Sequence, residues 1–170
     1  KDLSIKMKLI LSFGIVLLFS GIASFSGLNT INKMKNTINE IFSVTIPSIT
    51  LLLHIDRDLQ QLVVAERSMI YVNVASDSFK NLEKDYEENL TQTKERWDKF
   101  KSLLNGRYSA SIATFENERE VWQKFSRQIV NGRKSDTREG RTLAIDLSMK
   151  EGAQSFEKMR GQINDLQDLL

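Results

Sequence analysis

Arg57, Arg67, Arg138 and Arg141 are the side chains of this 170-residue sequence best equipped to hold a ligand. A guanidinium presents its N–H donors in a rigid plane, and that fork matches a carboxylate bidentately. Arg67 adjoins Glu66 inside an otherwise apolar stretch, VVAERSMIYV, residues 63–72. A carboxylate buried without a partner is strongly destabilising. The first reading therefore makes Glu66 a structural ion-pair partner of Arg119, or of the partner subunit's Arg67. In the second, Arg67 joins Arg57, or Arg67 of the partner subunit, to take a carboxylate ligand. Arg133, Lys134, Arg138 and Arg141 crowd the start of the last helical run and could rim a site for an anion. Tyr71 and Asn73 could line a pocket at the same end of the molecule.

Other chemistries lack their residues. Cysteine is absent and His54 is the single histidine, so disulfides, thiol nucleophiles and His/Cys metal sites are excluded within one chain. There is no Ser-His-Asp set, glycine-rich phosphate loop or metal-ligand spacing. An enzyme, a metal and a cofactor are accordingly not expected. Trp97 and Trp122 fall at core spacing and read as packing anchors.

The elements that must position these residues are helices. One proline and eight glycines leave few breaks in the chain. Apolar residues recur at spacings of three and four, as in Leu52, Ile55, Leu59, Leu62 and Met69, with Glu66 on the same seam. No stretch alternates with period two for long, so no sheet is expected. The runs predict helices over about 29–75, 78–104, 110–131 and 137–170. Asp77 or Ser78, then Ser109 or Ser111, offer N-caps. Asn105-Gly106 and Asn131-Gly132 offer stops, and Asp136 with Glu139 offers a capping box. Short connections force antiparallel neighbours, so the fold class is all-α, an up-down-up-down four-helix bundle. Pro47 removes a backbone donor within the first helix and predicts a kink, where the bundle ends and a stalk begins.

The N-terminus has a different character. Lys1, Lys6 and Lys8 against Asp2 account for the whole net charge of +2, so the remainder is neutral and no nucleic-acid partner is expected. Residues 9–28, LILSFGIVLLFSGIASFSGL, carry no charge. About 20 apolar residues cross a bilayer, and a basic flank over 1–8 keeps the N-terminus cytoplasmic. Residues 9–28 are thus expected to span the membrane in contact with lipid, with 29–170 outside the cytoplasm. The seam of the fourth run continues to Leu170, which predicts a longer parent protein with a second membrane span and a cytoplasmic part.

The order of these parts, with IPSI and AERSMI in the first bundle helix, resembles the four-helix-bundle sensor domains of bacterial methyl-accepting chemotaxis proteins. The likeness covers nearly the whole chain in architecture and residues 46–72 in wording. It implies a homodimer in the cell membrane with its sensor domain periplasmic or extracellular. It also implies a small-molecule ligand at the membrane-distal end and a signal passed down the fourth helix. Similar bundles precede histidine kinases and diguanylate cyclases. A membrane-anchored bundle that only dimerises or binds another protein is the reading from a different class.

Overall fold

A computed structural model describes residues 4–170, so Lys1 and Asp2 of the basic flank lie outside it. The described residues form helices and turns and contain no strand. They divide into two units, one ending at Ser43 and the other Val44–Leu170.

The first unit is helix α1, Ile5–Glu40. Ser4 caps it, its hydroxyl accepting from the Met7 amide at 3.4 Å. None of its residues is buried, and Phe13, Leu17 and Phe25 are exposed over most of their surface. A helix this apolar with no protein cover meets the length and composition needed to cross a membrane. A π-helical turn, Ile41–Thr45, follows. Its i→i+5 pattern moves each carbonyl's partner one residue on. Pro47 then sits in the first turn of α2, Ile46–Tyr71, where a missing backbone donor is tolerated.

The second unit contains α2, α3 (Asp77–Leu104), α4 (Ser109–Lys134), α5 (Arg138–Met149) and α6 (Glu151–Asp168). The buried face of α2 carries Leu52, Ile55, Leu59, Leu62 and Met69, the three-four spacing of an amphipathic helix. It packs most closely on α3, while α4 packs on α5 and α6. Trp97 stacks near Phe100 and Phe115, with centroids 5.1 and 4.2 Å away, and Trp122 meets Phe156 at 5.4 Å. This is an all-α four-helix bundle whose fourth leg is made of two helices.

That division corrects the single helix expected over 137–170. Lys150 leaves the helical region at φ −119 and ψ −101. Gly152 explains why the break is tolerated: a Cβ there would lie 2.7 Å from the Leu147 carbonyl and 3.2 Å from Ile129 Cδ1. The bare backbone lets the start of α6 press against the end of α5 and against α4.

The turns also differ from expectation. Ser76, rather than Asp77 or Ser78, caps α3 by accepting from the Phe79 amide at 3.2 Å. Neither Ser109 nor Ser111 caps α4; Tyr108 precedes it in the left-handed region, with no side-chain cap bond. The helix runs through Asn131-Gly132 instead of stopping there. Gly132 is needed for close approach, since a Cβ on it would sit 2.8 Å from the Gly140 carbonyl. Thr137, not Asp136, caps α5 by accepting from the Gly140 amide at 3.0 Å. Asp136 is in the left-handed region at φ 51, and its carboxylate turns to arginines.

Candidate functional site

The end of α2, the end of α4 and the start of α5 meet around one buried guanidinium. Helix α2 ends at Tyr71, leaving its last carbonyls without helical donors. Arg133, only 2% exposed, supplies them. Its Nε donates to the Met69 carbonyl at 3.0 Å and its Nη2 to the Val72 carbonyl. The remaining Nη1 donates to Asp136 at 3.1 Å, and the group lies over the Phe79 ring. A cation at a helix C-terminus also complements the helix dipole. Arg133 is thus committed to joining α4 to α2 and is not a free rim residue.

Asp136 bridges outward. The same oxygen accepts from Arg141 Nη2 at 3.5 Å, a long contact on an exposed side chain. Around this bridge opens a cleft of about 280 Å³, lined by Tyr71, Asn73, Arg133, Asp136 and Arg141 with neighbouring residues of α2. Tyr71 is 85% exposed, and the Asn73 side-chain oxygen Oδ1 accepts from the Ala75 amide at 2.9 Å. Three of the residues singled out from sequence, Tyr71, Asn73 and Arg141, come together here. Arg138 is exposed on the first residue of α5 and does not line the cleft.

Arg57 and Arg67 lie elsewhere. Arg57 donates to its neighbour Asp58 through Nε at 3.2 Å and Nη2 at 3.0 Å. Asp58 is fully buried, and Arg96 of α3 pairs with its other oxygen. Arg57 is therefore half of a structural clamp. Two residues earlier Asp56 faces another neighbour: Arg160 of α6 holds it through Nε at 2.6 Å and Nη2 at 3.2 Å. Residues two apart on a helix point in nearly opposite directions. The triplet Asp56-Arg57-Asp58 thereby ties α2 to both α3 and α6. Sequence reasoning missed it, although three charges inside an apolar helix were the available signal.

Glu66 is 4% exposed and does not meet Arg119. It accepts from Ser126 Oγ on α4. Helices α2 and α4 run in the same direction, and Arg119 lies seven residues before Ser126, roughly 10 Å along the axis. That heptad offset places Arg119 beside Leu59 instead. Tyr86 OH is 2.9 Å from the same serine oxygen. Ser126 has one proton to give, so Tyr86 donates to Ser126 and Ser126 to Glu66. Burial pushes the Glu66 carboxyl up to about 7, against the opposing pull of the serine bond and the Arg67 charge. Burial also raises the Tyr86 phenol. Arg67 is exposed on α2.

Comparison with known families decides the class of this fold. The family described as a four helix bundle sensory module for signal transduction matches residues 2–170. The chain belongs to this family. The resemblance thus extends beyond residues 46–72 to nearly the whole of this chain. Searches of curated proteins and of solved structures returned no match. Among the described residues no group of His, Cys, Asp and Glu could hold a metal ion.

Proposed function

We propose that this sensory module is the ligand-binding part of a homodimeric transmembrane chemotaxis receptor, non-catalytic and anchored by α1. The N-terminus lies in the cytoplasm and the bundle outside it, as the basic flank favours. The ligand is a small anion held in the cleft at the α2–α3 turn, the membrane-distal end in this reading. The observation that carries this is the pairing of Arg141 with Asp136 over that cleft. The contact is long and exposed, so a carboxylate ligand can compete for the Arg141 fork at small cost. Arg133 is spent on backbone carbonyls and supplies only a fixed positive background.

Coupling follows from position. The cleft joins the ends of α2 and α4 to the start of α5, so a ligand that prefers one packing of these ends shifts the population of bundle arrangements. Arg67 stays exposed on the outer surface of α2, outside this cleft, where a second subunit would bring a further arginine beside it.

The full chain in detergent micelles, titrated with succinate and aspartate by calorimetry and thermal shift, tests this. Binding by the wild type, lost by about tenfold or more in Arg141→Gln, is expected. Equal affinity in both proteins would remove Arg141 from the site. Absence of stabilisation by any small organic acid would favour a bundle that only associates with proteins.

A further inference from the structure

A second cleft lies between α3 and α4, away from the α2–α3 turn. A short turn joins these helices, yet their main chains approach less closely than those of α2 and α3. Side chains bridge them at two levels. Near the turn, Trp97 packs on Phe115 and donates from Nε1 to Glu116 at 2.9 Å. Farther along, both oxygens of Glu87 accept from the fork of Arg127. Between the bridges remains a cavity of about 440 Å³. The partly exposed Leu90 faces it over the buried Leu59 and Trp122, with Lys94 and Arg119 beside them.

Arg119 is the anomaly here. It is half-buried, and among the described residues it has no hydrogen bond or ion pair. The nearby carboxylates are already used: Glu116 accepts from Trp97 and Lys101, and Asp98 pairs with Lys101 at 3.4 Å. They reach Arg119 only as longer-range charge, while burial opposes its ionised form. A partly desolvated guanidinium without a partner is costly, and a chain that keeps one beside a cavity gains by filling it with an acceptor. Lys94 adds a second positive charge on the exposed side, and Arg127 is neutralised by Glu87.

We infer that this cleft is a second ligand site, which takes a small carboxylate with an apolar body. The Arg119 fork receives the carboxylate. The body lies on Leu59, Leu90 and Trp122, and Lys94 supplies attraction from the rim. The site is distinct from the cleft of Arg141, and its test separates the two.

The full chain labelled with 5-fluorotryptophan has two reporters, Trp122 in the cleft and Trp97 outside it. Benzoate and hexanoate serve as probes, with benzamide as the uncharged control. The Trp122 resonance is expected to move saturably with either acid, and the Trp97 resonance much less. Affinity falls by about tenfold or more in Arg119→Gln and with benzamide, and partly recovers in Arg119→Lys. Lys94→Gln, on an exposed residue, weakens binding a few-fold with the fold intact, which keeps the test sound if Arg119→Gln unfolds. Arg141→Gln leaves it unchanged. A silent Trp122 at millimolar acid, or Lys94→Gln and Arg119→Lys binding as the wild type does, overturns the inference. So does loss of binding in Arg141→Gln.

Discussion

At the scale of single residues, Glu66 shows how burial alone can set a pH dependence. Its folded pKa of about 7 stands above the 4.5 of an unfolded chain. Between these values the folded protein keeps the proton and the unfolded one has released it. The contribution of Glu66 to stability is therefore greatest below pH 4.5, falls as pH rises toward 7, and levels off above. The full span corresponds to about 3 kcal/mol, with the opposing pull of Ser126 and Arg67 already included. Denaturant melts of wild type and Glu66→Gln at about pH 4.5 and pH 8 check this. The variant is expected to gain on the wild type as pH rises. A constant difference at both pH values would mean that folding does not shift the titration of Glu66. The seam position made the burial of Glu66 legible in the sequence. Its partner was not legible, because which residue of α4 stands opposite depends on two intervening turns. A heptad offset at that distance exchanges Ser126 for Arg119, a neutral hydroxyl for a charge.

At the scale of elements, the periodicity of apolar residues exposed the helices but not what happens where they meet. Gly132 and Gly152 carry opposite lessons. Asn131-Gly132 has the composition of a helix stop, yet Gly132 stays helical because α5 passes too close for a side chain. Gly152 falls at the three-four spacing of Phe156 and Met159, a pattern that predicts continuous helix, yet the helix breaks just before it. In both, the cause is a neighbour remote from the local pattern that propensity reads. Alanine substitutions separate the two uses of glycine. Gly152→Ala forces a Cβ against the Leu147 carbonyl and Ile129, and is expected to cost about 1–3 kcal/mol. At Gly161, also in α6, a Cβ would meet nothing within 4 Å. Gly161→Ala should instead stabilise by up to about 1 kcal/mol. Thermal melts of the two single variants decide, and a similar effect at both sites would show that the break is not held by contact.

At the scale of the whole molecule, the bundle leaves an outer surface that one chain does not cover. Ile46, Leu53, Arg57, Val64 and Tyr71 fall within roughly 40° of one another on α2, at about 100° per residue. This stripe lies opposite Ile55, Leu62 and Met69, which fill the core. Leu53 is 56% and Val64 62% exposed, an apolar load a helix with solvent beyond it does not need. Its long axis matches that of a second copy of α2, and the polar members, Arg57 and the flanking Arg67, carry like charges that an anion between subunits would reconcile. The homodimer proposed above places its two-fold axis along this stripe. Residues on such an axis meet their own counterparts, so Val64→Cys should cross-link to itself under mild oxidation in membranes. Lys99→Cys, exposed on α3, should not. Val64→Asp should raise the dimer dissociation constant by about tenfold or more while thermal unfolding of the bundle stays within about 0.5 kcal/mol of the wild type. Cross-linking from α3 with silence at Val64 would move the axis to another face. In that arrangement Arg57 and Arg67 would have no counterpart, and any anion they bind would be held by one chain alone.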